Sequence, residues 1–308
     1  MLPSVTVVIP TFNRAHLLPQ AIDAALGQSH PDTTVMVVDD GSTDGTTGVL
    51  ARYAEHPRFV GIRLGTNVGT AQAKNVGIAL SRTDAVTFHD SDDLPHRDKV
   101  LRQARVIGNE GVDAHPCLNW EMTGRAPESR IQIGAVLTHH ELILPDGTRV
   151  EIRRTLSLVD DFFPNLQMAA GPPGDWTHVN SGMFHRDVFT RIGGFSDCIE
   201  EDREFRNRLI MAGEVFWVIP DILLTKIESA GSLTLAAATD YDSPRRVADR
   251  RRVWDQVENW FRTREVTAVP IDLSAVRIVG CSNPALCNPS ALPSELRNLQ
   301  PSAAGRIA

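Results

Sequence analysis

The sequence predicts an α/β fold in which a mostly parallel sheet is flanked by helices. Three observations support that expectation. Short apolar, β-rich runs alternate with helical stretches four times in the first third of the chain. The loops between them are short, as parallel crossover units require. Two of the runs end abruptly in acids, at Asp39-Asp40 and at Asp90-Ser91-Asp92-Asp93. In open sheets of this kind ligands bind beyond the carboxyl ends of the strands, where these acids fall.

The elements follow in order. Val5–Pro10 is a compact apolar run suited to a strand buried on both faces. Asn13 is placed to cap the next helix, in which Leu17, Leu18, Ala21, Ile22 and Ala25 recur at helical spacing. Val35–Val38 predicts a second buried strand. Gly41-Ser42-Thr43-Asp44-Gly45 then supplies a turn and a helix start, with Ser42 and Asp44 as caps. Phe59–Leu64 predicts a third strand, Val68–Leu80 a helix, Ala85–Phe88 a fourth strand, and Leu94–Gly108 a helix once past Pro95.

From His115 to Asp175 the pattern loosens into an insertion. Within it Glu141–Ile152 predicts a hairpin turning at Asp146-Gly147, and Gly171-Pro172-Pro173-Gly174 a loop. Regular structure resumes near Val179, with a helix over Glu200–Ala212, a strand over Val215–Ile219 and an Arg-rich helix over Pro244–Arg264 that carries Trp254 and Trp260. The composition after Ser282, rich in Pro, Ser, Ala and Asn, predicts a flexible tail.

Composition narrows the function classes. A chain of 308 residues, 42% hydrophobic and 22% charged, has the make-up of a folded domain with a sizeable core. A formal net charge of -7 argues against a non-specific nucleic-acid binder, which needs a basic face for phosphates. The four cysteines are scattered without a CxxC pair, against a disulfide framework or a cysteine zinc site. No apolar run approaches the roughly 20 residues that span a bilayer, and the first residues do not read as a signal peptide. The expected compartment is cytoplasmic, with peripheral membrane contact left open.

Four segments carry candidate chemistry. His89 to Asp93 sets three carboxylates directly after a strand, where they repel one another unless a cation or donor groups offset them. A hard ion, Mg2+ or Mn2+, prefers such oxygen ligands together with substrate phosphates; a solvated acidic loop ahead of a helix explains the same residues. Val37 to Thr46 puts Asp39 and Asp40 at a neighbouring strand end, where an aspartate can accept from a base or ribose. Pro10 ends the first strand, Thr11, Phe12 and Arg14 follow it, and Phe12 can stack on a nucleobase or pack in a core. Asn67 to Gly77 combines small residues with Lys74, which would let a phosphate lie against a helix; a surface lysine is the plainer alternative.

In this order the Pro-Thr-Phe-Asn-Arg segment, the DDGSTDGT turn, the NVGTAQAKN segment and the DSDD loop resemble the family 2 glycosyltransferases, inverting enzymes with the GT-A (Rossmann-like) fold. The likeness covers residues 4–110 and resumes over 177–235. It implies that Pro10, Thr11, Phe12, Arg14 and Asp39 or Asp40 hold the nucleoside, with Asn67, Gly69 and Lys74 nearby. It places Asp90 at the ribose, Ser91 among the donor-binding residues, and Asp92 on the Mn2+ or Mg2+ that bridges the diphosphate, with Asp93 orienting the loop. A second mark, IGGFSDCIEEDREFRNRL from Ile192 to Leu209, ends in an acidic pair that implies Asp202, with Glu201 as the alternative, as the general base. The departure is at Glu228 or Ser229, where relatives carry a histidine; Glu228 is then a candidate oxygen ligand to the metal. Trp176, at the end of the insertion, is a candidate acceptor-stacking residue or a core residue.

The resemblance implies an enzyme, a glycosyltransferase of hexosyltransferase type. Its donor would be a nucleoside diphosphate sugar, UDP first and GDP or dTDP as alternatives, and its acceptor a free hydroxyl. It divides the chain into a nucleotide-sugar-binding half (1–114), an acceptor and catalytic-base half (115–235), a C-terminal helical extension (236–281) and the tail (282–308). A sugar-phosphate nucleotidyltransferase and a non-catalytic sugar-nucleotide-binding module are the competing readings.

Overall fold

In the computed structural model, which describes residues 1–108, 132–153, 179, 181–227 and 243–297, the four apolar runs form four parallel strands. These are β1 (Val5–Thr11), β2 (Thr33–Asp39), β3 (Phe59–Leu64) and β4 (Ala85–Phe88), in the order β3-β2-β1-β4. The chain builds outward from β1 to β3, then returns to β1's other side. The switch point therefore lies between β1 and β4, and in sheets of this kind ligands bind at the carboxyl ends beside it. Alternation along the strands feeds two cores. Val5, Val7, Ile9, Val35 and Val37 face the helices α1 (Leu18–Leu26) and α4 (Lys99–Ile107). Val8, Met36, Val38, Val60 and Ile62 face α3 (Thr70–Leu80), while α2 (Thr46–Tyr53) packs beside β3.

The sheet continues beyond β4 in mixed fashion. Strand β6 (Ile133–Ile143) pairs antiparallel with β8 (Met183–His185) and β7 (Arg149–Ile152), and parallel with β9 (Val215–Ile227). The short β5 (Leu94–Pro95) closes this edge against β9, and β10 (Ile278–Cys281) runs antiparallel to β3 at the other. Helices α5 (Arg186–Ile192), α6 (Glu201–Met211) and α7 (Pro244–Thr263) complete the α-helices of the described residues.

Several boundaries differ from the sequence expectation, each for a local reason. Helix α1 begins at Leu18 and Asn13 does not cap it. Asn13 has φ 53, and its Oδ1 accepts from the Thr43 amide at 2.9 Å, fastening the β1 loop to the β2 loop. Ser42 joins that fastening rather than capping α2, because its Oγ accepts from the Asn13 amide at 2.8 Å. Asp44 does serve the helix start, taking the Thr46 amide at 2.9 Å. Leu94–Pro95 is extended, and α4 starts at Lys99. Strand β9 continues past Ile219 to Ile227, with the register slipping beside Pro220, which has no N–H to donate.

Part of the expected insertion is a sheet strand: β6 begins at Ile133, and the hairpin turns at Gly147 (φ 82) as predicted. The C-terminal extension is only partly helical, since β10 joins the sheet. Residues 282–297, expected as part of a flexible tail, pack instead: Cys287 and Leu292 are buried, and the Asn288 amide donates to the Leu80 carbonyl at 2.7 Å. Their apolar positions are too sparse to show a period.

Helix α3 lies close on the sheet. A Cβ at Gly77 would fall 2.4 Å from Val8 Cγ1, so only glycine permits this approach. On its other side Asn75 is a bidentate clip. Its Nδ2 donates to the Phe195 carbonyl at 2.9 Å and its Oδ1 accepts from the Phe195 amide at 2.8 Å. Phe195 in turn packs on Phe88 and Phe205, tying α6 to the end of β4. Asn75→Ala strands a buried amide and a buried carbonyl, and should cost about 2–4 kcal/mol in chemical denaturation.

Candidate functional site

At the carboxyl ends of β1 and β2, Thr11 and Asp39 are register partners. Both are buried, and Thr11 Oγ1 and Asp39 Oδ2 have no hydrogen-bond partner among the described residues. Buried polar atoms are ordinarily satisfied, so two adjacent orphans point to a ligand with donors and acceptors to offer. Asp39 Oδ1 is already used by the Ser42 amide at 3.0 Å. Burial pushes the Asp39 carboxyl above its ordinary value, with the Ser42 hydrogen bonds and the charge of Arg63 on β3 opposing.

Asp40 is different. Its two oxygens accept from the Val68 amide at 2.7 Å and the Gly69 amide at 2.9 Å. It thereby holds the loop that leads into α3, and Gly41 (φ +73) lets that loop approach. A Cβ there would meet the Thr66 carbonyl carbon at 2.6 Å. Of the two aspartates, Asp39 is the one with an oxygen to spare.

The DSDD loop leaves β4 and gathers the carboxylates of Asp90, Asp92 and Asp93, whose ligand oxygens lie within 4.8 Å of one another. Lys226, near the end of β9, answers their charge. Its Nζ is 2.9 Å from Asp90 Oδ2 and 3.3 Å from Asp93 Oδ1. The register of β5 with β9, Leu94 opposite Thr225, brings it there. Lys226 holds the Asp90 carboxyl well below the usual carboxylate range. Burial alone would lower Lys226, but Asp90 and Asp93 keep its ammonium protonated and above its ordinary value.

Asp93 is consumed by the fold. Its Oδ2 accepts from the Asp90 amide and from Ser181 Oγ, both at 3.0 Å. Beneath it, the Lys99 ammonium lies 3.1 Å from His89 Nε2 and donates to Gln103 Oε1, and Gln103 donates on to the Ser181 carbonyl. Burial and Lys99 hold His89 neutral. Asp92 stands apart from these pairs. Burial and then the charge of Asp90 push its carboxyl up, against Lys226 and Arg14. This donor set, all carboxylate oxygen, fits a hard divalent ion on Asp92 with Asp90.

The acidic pair of α6 faces the same end of the sheet. Lys74 on α3, 5% exposed, donates to Glu201 Oε1 at 3.1 Å and lies within electrostatic range of Asp90 and Asp202. Burial raises the Glu201 carboxyl, and Lys74 opposes that rise. Asp202 Oδ1 accepts from the Arg203 amide at 2.9 Å. The helix itself is anchored from behind, where buried Arg208 pairs with Glu204 at 2.6 Å and also donates to the Ile192 and Gly194 carbonyls of the GGF turn. Glu200 collects Arg203, Arg246 and Arg250, which docks α7 at the start of α6.

The structure thus brings Thr11 and Asp39 together, the three loop aspartates together, and Lys74 beside Glu201 and Asp202. Pro10 lies within β1, Ser91 is buried in the loop, and Phe12 is 43% exposed just past β1. Asn67 is exposed on the loop that Asp40 holds through Val68 and Gly69. Glu228 and Trp176 lie outside the described residues. Sequence reasoning missed Lys226, Ser181 and Arg63. The only signal for Lys226 was a lysine closing a long apolar strand; Ser181, with φ 60, gave none.

A sheet of order β3-β2-β1-β4 with unpartnered polar atoms and clustered carboxylates at its strand ends has the layout in which open α/β sheets hold ligands. Residues 6–121 match the family model described as Glycosyl transferase family 2. The putative teichuronic acid biosynthesis glycosyltransferase TuaG of Bacillus subtilis is 35% identical over 106 residues, covering 34% of this chain and 42% of that protein. The chain spans about half the length of the curated relatives it matches.

Two solved structures share the fold. One is the mannosyltransferase PcManGT of Pyrobaculum calidifontis in complex with GDP-Man and Mn2+ (TM-score 0.52, 23% identity, 88% of this chain, 67% of that one). The other is S. aureus TarS 1-349 in complex with UDP-GlcNAc (TM-score 0.55, 16% identity, 84% and 73%). The fold is accordingly that of the GT-A glycosyltransferases. Among the described residues no helix is long and apolar enough to cross a membrane.

Asp40→Asn puts an NH2 group against one of two backbone amides. It should cost about 1–3 kcal/mol of stability by denaturation and loosen the 65–69 loop in hydrogen exchange.

Proposed function

We propose that this chain transfers a sugar from a nucleoside diphosphate to an acceptor hydroxyl, with inversion at the anomeric carbon. One observation carries the reading. Strands β1, β2 and β4 end side by side, so the buried Thr11 hydroxyl and Asp39 Oδ2, both without a partner among the described residues, and the Asp90–Asp93 carboxylates gather at one end of the sheet. A nucleobase N–H suits Asp39 Oδ2 and a base carbonyl suits Thr11 Oγ1, with Phe12 as a stacking face. The imide N–H of uracil fits this pair, and UDP is the proposed nucleotide. Asp90 and Ser91 then meet the ribose, and residues 115–235 supply the acceptor side. The ligands of the fold neighbours, UDP-GlcNAc and GDP-Man with Mn2+, support this class of donor.

Asp92, with Asp90, would hold Mn2+ or Mg2+. The bound ion supplies electrostatic stabilisation for the charge that develops on the departing diphosphate. Asp202 is the general base: it takes the proton of the acceptor hydroxyl as that oxygen attacks the anomeric carbon and the bond to the diphosphate breaks. Glu201 is committed to Lys74 at 3.1 Å, which sets it up as a positioning residue and leaves the base role to Asp202. Lys74 also adds positive charge at this end of the sheet.

Binding and hydrolysis should be measured against UDP-, GDP- and dTDP-sugars with Mn2+ or with EDTA. One donor should bind in a metal-dependent way, and Asp92→Ala should abolish that binding. Absence of binding to every sugar nucleotide in the presence of metal would sink the reading. Once an acceptor is found, Asp202→Asn should lower kcat by about 10²–10⁴-fold with donor affinity unchanged. Glu201→Gln should keep most of the turnover and instead lower the melting temperature; the reverse ranking moves the base to Glu201.

A further inference from the structure

We propose that Lys226 is the resident counter-cation of the aspartate loop, and that it makes a divalent ion enter the site together with the nucleoside diphosphate rather than ahead of it. The inference rests on the metal-assisted reading above. Its basis is the position of one ammonium group. Strand β9 delivers Lys226 Nζ to 2.9 Å from Asp90 Oδ2 and 3.3 Å from Asp93 Oδ1, inside the cluster whose carboxylate oxygens lie within 4.8 Å of one another.

A metal ion on Asp92 and Asp90 has to share Asp90 with this ammonium. The Lys226 side chain is only 17% exposed and Asp93 is buried, so solvent screens the repulsion between the two cations weakly. The loop aspartates therefore attract a bare ion less than three carboxylates would suggest. A diphosphate changes the balance by bringing its own negative charge to the loop. An ammonium has three N–H donors; one is bonded to Asp90 and Asp93 lies 3.3 Å away, which leaves donor capacity for a phosphate oxygen. The Asp90 side chain, 39% exposed, leaves that approach open.

Ion and nucleotide then raise each other's affinity by the same factor, as linkage requires. Lys226 also orders the loop before any ligand arrives, together with Ser181 and the Asp90 amide on Asp93. In this arrangement it is a positioning residue that sets the order of binding.

The test is Mn2+ binding to the full chain, followed by the electron paramagnetic resonance signal of the free ion, alone and with UDP or GDP. Wild type should bind Mn2+ weakly by itself and about tenfold or more tightly with the nucleotide. Lys226→Met should bind Mn2+ alone about tenfold more tightly than wild type, and the nucleotide should add little. Lys226→Arg, which keeps the charge, should behave like wild type. If Lys226→Met does not fold by circular dichroism, Lys226→Gln makes the same comparison. A neutral variant that binds Mn2+ alone no better than wild type, or that keeps the full nucleotide effect, overturns the role of Lys226 and leaves the metal reading standing. Wild type that binds Mn2+ neither alone nor with either nucleotide overturns both.

Discussion

Two largely buried ammonium groups allow a crowd of acids to stand at one end of this sheet. Asp90, Asp92 and Asp93 leave β4, and Glu201 and Asp202 open α6, so that like charges converge where water is scarce. Burial alone would force some of these carboxyls to protonate. Lys226 between Asp90 and Asp93, and Lys74 against Glu201, offset that cost. Each lysine is fixed by an element remote from its partners, Lys74 by α3 and Lys226 by β9. The site therefore exists only when α3 and β9 are both docked in place.

The same economy recurs at each acidic pair. At Asp39-Asp40 and in the Asp90–Asp93 loop, one carboxylate is used by the protein and another keeps capacity beyond those contacts. Asp40 is saturated by two backbone amides, while Asp39 retains Oδ2. Asp93 is held by Ser181, the Asp90 amide and Lys226, while Asp92 stands outside those pairs. Glu201 is tied to Lys74, and Asp202 follows it into the first turn of α6. The anchored member fixes the loop and so aims the other. This preorganisation spares the ligand the work of ordering its own site.

Much of this was legible in the chain. The four parallel strands, the β6–β7 hairpin turn and the positions of the acidic loops follow from apolar period, turn chemistry and abrupt polar ends. What escaped local reading was irregular or sparse. Strand β9 passes through a proline, α1 waits until Leu18 because Asn13 adopts φ 53 and serves another loop, and residues 282–297 pack with few apolar side chains. Within the DD pair the sequence left Asp39 and Asp40 equivalent, because only the loop amides folded over Asp40 distinguish them.

The sequence by itself determined the α/β class, the succession of strands and helices along the first third of the chain and the residue types at their ends, since these depend on neighbours within a few positions. The tertiary structure decided which acid is spent and which is spare. It also decided that Lys226 meets Asp90 across 136 residues, that Lys74 meets Glu201 across 127, and that Asn75 clips Phe195 across 120. Those contacts form between side chains that no local pattern relates. They are fixed by strand register and by how closely α3 lies on the sheet, and both are properties of the assembled core.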